Sequence, residues 1–121
     1  MASSIIKNTA EYKAVAPDAV SVPSGQWTQI CDITLTKGVW SLVFGGAFAS
    51  NATGFRRIHL GQDTSAGRYS PTTNAVNGDQ TRMNAAQYYL LDADANLKLY
   101  ASQNSGSTIS FYGFIRAVQL A

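Results

Sequence analysis

Apolar and polar residues alternate along most of this chain with a period of two, which is typical of half-buried β-strands. The alternation is interrupted by short runs of Gly, Pro, Ser, Asn and Asp, the residue types that turn a chain. Residues 84–91 come nearest to helical spacing, but no segment of ten or more residues combines that spacing with capping residues. The pattern therefore predicts an all-β protein built as an antiparallel sandwich or barrel of six to eight short strands. The clearest strands are predicted over residues 27–36, 39–49, 55–61 and 81–91, and on either side of the turn at 103–107.

The last predicted strand is apolar on both of its faces. One face carries Ile109, Phe111, Ile115 and Ala117, and the other carries Tyr112, Phe114, Val118 and Leu120. A strand in one layer of a sandwich needs only one apolar face, so a second apolar face indicates a cover on the other side. The sequence therefore predicts an oligomer in which another subunit covers this strand.

Two other features of the pattern concern the first strands. The alternation over residues 27–36 predicts that Trp27, Cys31, Ile33 and Leu35 point to the same buried face, which makes the single cysteine a buried and unreactive thiol. The doublet at 45–46 places two glycines inside the next strand, where they indicate a bulge or a close approach of two backbones.

The start of the chain has a weaker pattern. Residues 1–19 are predicted to form an extended arm or an edge strand, which ends at Pro17 and Asp18. Residues 20–121 are predicted to form one domain, in agreement with the length of the chain. An arm of this kind could attach the domain to other proteins of a larger particle.

Composition narrows the classes of function. Charged residues make up 13% of the chain and the net charge is +2. That charge is too small and too scattered for a nucleic-acid interface. No apolar stretch approaches the roughly 20 residues that a membrane-spanning helix needs, and no secretory signal is expected in residues 1–16. A surface rich in Ser, Thr, Asn and Gln suits a protein that acts outside the cell or on a virion.

Several motifs resemble one family of jelly-roll domains. The run 34–42 (TLTKGVWSL) and the closing pair 97–106 (LKLYASQNSG) and 111–115 (FYGFI) resemble elements of C1q and tumour-necrosis-factor-like jelly rolls. Together with 49–57 (ASNATGFRR), they are similar to the version of this domain on bacteriophage tail-fibre and baseplate proteins. The resemblance covers about residues 27–120.

The resemblance implies a ten-stranded jelly-roll β-sandwich that assembles as a homotrimer. Aromatic residues of the inner sheet would pack around the three-fold axis, and Tyr112, Phe114 and Tyr100 are the candidates for those positions. It also implies that outer faces, or crevices between subunits, bind receptors that are often glycans.

Two groups of residues are candidates for ligand binding. On the strand at 55–61, Arg57 shares its side with Phe55 and His59, whereas Arg56 points the other way. Arg57 could bind an anionic sugar or a phosphate group, or it could lie on an ordinary solvated face. His59 has no second histidine near it in the sequence, so it is either a hydrogen-bonded structural residue or a ligand contact.

The longest break in the pattern, residues 62–79, is the second candidate. It contains Arg68, Tyr69 and Asn74, and loops on a rigid sandwich often carry binding. A tyrosine beside polar groups can stack on a sugar ring while its hydroxyl forms a hydrogen bond. The alternative is an ordinary surface loop, or one that contacts a neighbouring subunit.

Catalysis and metal binding find little support in the sequence. A glycosidase needs two carboxylates across a sugar ring, and Glu11 is the only glutamate. The run at 92–96 begins like a calcium loop, but Leu97 and Gln103 stand where glycine and glutamate are needed. The sequence therefore predicts a protein that is not an enzyme and that has no cofactor or metal.

These observations lead to one functional hypothesis and its alternatives. The hypothesis is a trimeric head of a phage tail fibre or baseplate, located on the virion, that attaches to a bacterial host by binding cell-surface saccharide. The main alternative is a structural or decoration protein of the virion that has no saccharide site. A cellular C1q-like ligand or lectin fits less well, because no signal peptide or stalk is seen.

Overall fold

The computed structural model describes residues 11–64 and 70–121, and it contains β-strands and no helix in those ranges. No helix able to cross a membrane is found there. The nine strands are β1 (Tyr12–Val15), β2 (Val20–Val22), β3 (Thr28–Leu35), β4 (Gly38–Phe48), β5 (Phe55–Gly61), β6 (Thr72–Asn74), β7 (Thr81–Leu91), β8 (Ala95–Gln103) and β9 (Ile109–Gln119).

The strands form two antiparallel sheets that pack face to face. The five-stranded sheet has the order β1-β9-β4-β7, and β2 also pairs with β9. The four-stranded sheet has the order β3-β8-β5-β6. Chain neighbours such as β4 and β5, or β8 and β9, lie in different sheets, as in a jelly roll. The predicted fold class, an antiparallel jelly-roll β-sandwich, is confirmed.

The core lies between the two sheets and is filled by alternate residues of the long strands. Each of these strands turns its apolar set inward, and the side chains pack between the two sheets. The largest buried apolar side chains are Leu35, Trp40, Leu42, Phe44, Phe48, Ile58, Leu60, Leu97, Leu99, Phe111 and Ile115.

The hydrophobic pattern located the long strands but missed two strands of three residues each, β2 and β6, and β6 lies inside the predicted loop at 62–79. The bounds of β5 and β7 agree with the predicted runs, and residues 84–91 lie inside β7 rather than in a helix. At the start of the chain, β1 pairs with β9 in the register Tyr12↔Val118, so residues 12–15 form an edge strand. Because β9 is paired on both sides, with β4 and with β1 and β2, it lies inside its sheet.

The prediction for Trp27 was wrong. The register between β3 and β8 shifts between Gln29 and Cys31, which makes a β-bulge at Ile30. One extra residue reverses the alternation, so Cys31 stays buried while Trp27 turns to the outer side of the sheet.

Arg56 points into the sandwich, opposite to Arg57. It is fully buried, and its guanidinium donates hydrogen bonds to the carbonyl oxygens of Thr53, Phe55 and Asn51. The group also lies 5.8 Å from the ring centroid of Phe48. Burial lowers the pKa of Arg56. This arginine therefore holds the 51–53 loop against the end of the core and is not available to a ligand.

Gly45 and Gly46 allow a close backbone approach. The pairing of β4 with β7 and β9 runs through both glycines without a register shift, so the doublet is not a bulge. A Cβ on Gly46 would lie 2.0 Å from the carbonyl oxygen of Tyr112. Both glycines have a φ of 156°, so a side chain would be strained there as well.

We expect Gly46→Ala to destabilise the protein by about 2–3 kcal/mol, because the methyl group would force β4 and β9 apart. Gly78→Ala is the matched control, since Gly78 also has positive φ but has no atom within 4 Å of an added Cβ. Urea unfolding of both variants checks this. Equal destabilisation of the two variants would show that strand separation is not the cause.

Candidate functional site

The outer face of the four-stranded sheet carries an arginine held between aromatic rings. The Arg57 guanidinium carbon lies 4.3 Å from the ring centroid of Phe55 and 5.2 Å from that of Trp27. All three side chains are half-buried, and Nε of Arg57 is enclosed without a hydrogen-bond partner. Contact with the rings fixes the plane of the guanidinium and removes part of its hydration. We call Trp27, Phe55 and Arg57 the arginine cluster.

His59 lies next to this cluster but is not available to a ligand. Its side chain is only 2% exposed, and the ring centroid is 5.8 Å from that of Trp27. Nε2 lies 2.9 Å from the carbonyl oxygen of Asp63, which can only accept, so Nε2 carries the proton. In the neutral ring, Nδ1 then accepts from the Ser70 hydroxyl, 3.0 Å away. His59 is therefore a buried side chain whose two ring nitrogens are both within hydrogen-bond distance of protein partners.

Tyr100 does not lie with Tyr112 and Phe114, contrary to the expectation of a shared axis. It belongs to β8 and pairs with His59 across the four-stranded sheet, with ring centroids 6.1 Å apart. Tyr112 and Phe114 belong to β9 in the other sheet. The chain crosses from one sheet to the other at residues 104–108. The alternation of apolar and polar residues therefore cannot show whether a residue of β8 and a residue of β9 lie on the same surface.

The half-buried hydroxyl of Tyr100 is protonated at neutral pH. Burial, and to a smaller extent the charge of Asp63, raise the pKa of Tyr100 above its usual value. A protonated phenol both donates and accepts hydrogen bonds. Tyr100 can therefore contribute to a polar ligand site on the same face as the arginine cluster.

The remaining predicted contacts divide into two groups. Asn74 is exposed on β6 and pairs with Phe55, which places it on the same outer face as Arg57. Arg68 and Tyr69 lie outside the described residues. The sequence placed Arg57 and Phe55 on one side of a strand, but it put Asn74 in a separate loop candidate, and only the pairing of β5 with β6 brings Asn74 beside Phe55. It also missed Trp27, because only the bulge in β3 moves this ring to the outer face.

The outer face of the five-stranded sheet is exposed and is largely apolar toward one end, where Arg116 on β9 is the charged side chain beside Val43. Cross-strand register places Tyr12, Val118, Ser41 and Tyr88 in one row, and Leu90 pairs with Val39 beside it. Tyr88 is 72% exposed and Leu90 is 78% exposed. We call Tyr12, Val43, Tyr88, Leu90 and Val118 the apolar zone. Tyr112 and Phe114 lie on the same face, toward its other end. The predicted second apolar face of β9 is thus present only in part, because Arg116 lies between Phe114 and Val118, and Leu120 follows the end of the strand.

The single cysteine has no chemistry of its own in the folded protein. Cys31 is buried, and this burial, with a smaller effect from the Asp32 carboxylate, raises the pKa of its thiol to about 11. We expect no reaction of native Cys31 with a thiol reagent at pH 8, and one thiol per chain in denaturant. Rapid labelling of the native protein at that pH would contradict the burial of Cys31.

No group of His, Cys, Asp or Glu with metal-binding geometry occurs in the described part of the chain. In the turn at 92–95, the Asp94 carboxylate accepts a hydrogen bond from the Lys37 backbone amide at 2.9 Å. This carboxylate therefore supports the turn between β7 and β8.

No protein-family model and no curated protein sequence matches this chain. Solved structures do resemble it. VP2 in a subviral particle of infectious bursal disease virus superposes with a TM-score of 0.69 at 9% identity, over 93% of this chain and 34% of the VP2 chain. A second VP2 structure, from the T13 particle of this virus, gives 0.68 at 11% identity, over 93% and 32% of the two chains.

A bacterial structure is similar over its whole length. The Bacillus endospore appendage protein, from a family of disulfide-linked pili, gives a TM-score of 0.53 at 9% identity, over 100% of this chain and 97% of the other. This chain thus spans about a third of the VP2 chains and nearly all of the pilus chain. At these identities the similarities establish one thing, the jelly-roll β-sandwich. They support the viral jelly-roll resemblance at the level of the fold, and the tail-fibre head stays a prediction.

Proposed function

We propose that this protein is a surface module of a virion that attaches to a bacterial host by binding a cell-surface saccharide. The observation that carries the proposal is the arginine cluster. It combines two aromatic rings with a fixed, partly dehydrated cation on an exposed sheet face. Aromatic rings stack on the C–H faces of sugars, and a fixed guanidinium binds carboxylate or phosphate in a bidentate manner.

The charge around the cluster favours an anionic saccharide. The structure describes no ion pair for Arg57, and the described part of the chain holds a single salt bridge, between Lys13 and Glu11. Thr72, which pairs with Arg57, and Asn74 add exposed polar groups at the edge of the same face. A carboxylated or phosphorylated wall polymer would supply the acceptor that Arg57 lacks.

We further propose that the module is a homotrimer assembled through the apolar zone on the outer face of the five-stranded sheet. Four of the six large apolar side chains that are exposed in the described residues lie in this zone, namely Tyr12, Val43, Tyr88 and Leu90. Exposed apolar side chains grouped on one face mark an interaction surface.

Assembly would place the two surfaces on opposite sides of each subunit. The apolar zone would be buried against the partners, and the arginine clusters would face outward. Three weak sites on one head raise the effective affinity for a repetitive polymer without a tight single contact. Assembly and saccharide binding would thus use the outer faces of two different sheets.

The experiment that tests the proposed function measures binding of the purified protein to wall polysaccharide of candidate bacterial hosts, together with its mass by light scattering. Saturable binding that free anionic oligosaccharide competes away, by a particle of three times 12.9 kDa, supports the proposal. Binding to isolated capsids, with no binding to host cells or polysaccharide, would overturn it.

A second candidate function is a structural role in a virion without a saccharide site. The similarity to VP2, which forms the particles of its virus, favours this alternative. A pilus-like role has a specific obstacle, because a disulfide between subunits would require the buried Cys31. Binding to isolated capsids, compared with binding to wall polysaccharide, separates the structural role from attachment.

A further inference from the structure

A concave surface lies on the outer face of the five-stranded sheet, at the end away from the apolar zone. The register places Tyr112, Ala47 and Arg82 in one row across β9, β4 and β7, and Phe114, Gly45 and Asn84 in the next. The middle strand carries no more than a methyl group at residues 45–47. The space between the β9 and β7 side chains is therefore left open.

The two walls of this space differ in chemistry. Tyr112, which is 54% exposed, and Phe114 form an aromatic wall on β9. Arg82 and Asn84 form a polar wall on β7, and both side chains are exposed. The two outer strands lie about 10 Å apart, which is twice the strand spacing. We call this space the trough. Its volume is about 650 Å³, within the range of small-molecule sites.

Gly45 leaves part of the trough floor without a side chain, between Phe114 and Asn84. A Cβ on Gly45 would meet the Met83 carbonyl oxygen. The two glycines therefore have different consequences. Gly46, on the core side of β4, lets β4 and β9 pair closely, and Gly45 keeps the trough open between the aromatic and polar walls.

We propose that the trough binds a pyranose residue of a saccharide chain. One face of the sugar would stack on Tyr112, while the hydroxyls would bond to Arg82 and Asn84. The structure engages one donor of Arg82, with Gln80 at 3.2 Å, and a guanidinium has five. Thr73 of β6, at the edge of the other sheet, adds a hydroxyl group at one end. This inference rests on the proposed function only for the ligand class, because the trough and the arginine cluster lie on different sheets.

The proposal changes the role expected for Tyr112 and Phe114. The resemblance to C1q and tumour-necrosis-factor-like jelly rolls implied that these residues lie at a three-fold axis, where a partner would bury them. In the trough they would contact ligand, and the apolar zone would form the assembly surface. The guanidinium carbon of Arg116 lies 4.9 Å from the ring centroid of Phe114, which holds that ring in position beside Tyr112.

The test is a residue-resolved NMR titration of the intact ¹⁵N-labelled protein with maltohexaose, chitotetraose and a galacturonate trimer at millimolar concentration. We expect amide shifts at residues 46–47, 82–84 and 112–114 with at least one probe. Tyr112→Ala should weaken that binding at least about tenfold, the loss expected when one stacked ring and its hydroxyl are removed. Ala47→Leu, which fills the trough, should also abolish it.

Tyr12→Ala is the matched control, because it removes an exposed tyrosine from the same face outside the trough. It should leave the per-site affinity unchanged. Shifts confined to residues 55–59 and 100 would overturn the trough and leave the proposed function standing. Shifts in neither place would overturn both. A fall in solution mass on Tyr112→Ala, without probe shifts at the trough, would assign Tyr112 to the interface and overturn this inference.

Discussion

Arg57→Ala should reduce binding of the protein to an anionic wall saccharide by roughly 10- to 100-fold per site, the loss expected for one charge-assisted hydrogen-bonding group. Arg57 makes no ion pair among the described residues, so its removal should cost folding stability only through the lost packing on Phe55 and Trp27. Calorimetric titration with a purified oligosaccharide measures the affinity without the contribution of avidity.

Two further variants make the result specific. Arg57→Lys keeps the charge but loses the planar donor pair and most of the stacking on Phe55 and Trp27, so it should recover only a small part of the affinity. Lys37→Ala removes the same charge from an exposed turn and should bind like the wild type. If Lys37→Ala weakened binding as much as Arg57→Ala, the interaction would be general electrostatic attraction and the cluster would not be the site.

Leu90→Asp together with Tyr88→Asp should convert the proposed trimer to a monomer of 12.9 kDa. Each of these side chains is more than two-thirds exposed in the single chain, and each would contribute about 1.5–3 kcal/mol if a partner buried it fully. In a trimer the two substitutions would also place six carboxylates in or near apolar contacts, at a high cost in desolvation. Light scattering on the purified variant measures the mass.

Val76→Asp provides the matched control for this prediction. Val76 is 47% exposed, and it is the one large exposed apolar side chain of the described residues that lies off the five-stranded sheet face. Its substitution should leave the mass unchanged. A variant at Tyr88 and Leu90 that keeps the full oligomer mass would show that the subunits meet elsewhere, and the assembly part of the proposed function would then fail.

The apolar zone and the arginine cluster can be tested separately, because one concerns assembly and the other concerns saccharide binding. Loss of assembly at Tyr88 and Leu90 should lower the avidity for a polymer but should leave the affinity of one site for a short oligosaccharide unchanged. Loss of Arg57 should lower the affinity of each site for a short oligosaccharide and should leave the assembly unchanged. A structural protein of the virion would respond to the first change alone, and would therefore be recognised by the absence of any effect at Arg57.

The sequence by itself determined the long strands and which of their faces carry apolar side chains. Period-two alternation fixed the bounds of β5 and β7, because a strand with one buried face has no freedom to slip by a residue. It also placed Arg57 and Phe55 on one side and Arg56 on the other. The second apolar face of β9 was visible for the same reason, and so was the close backbone approach at Gly45 and Gly46.

Tertiary structure alone decided which strands share a sheet and where the phase of alternation changes. The bulge at Ile30 moved Trp27 from the core to the arginine cluster, and bulges leave no mark on local hydrophobicity. Tyr100 went to the opposite sheet from Tyr112, because the loop between β8 and β9 crosses the sandwich. The trough needed three strands that are distant in sequence to align small residues between two walls. Such cross-strand neighbours are set by pairing register, which a single sequence does not encode locally.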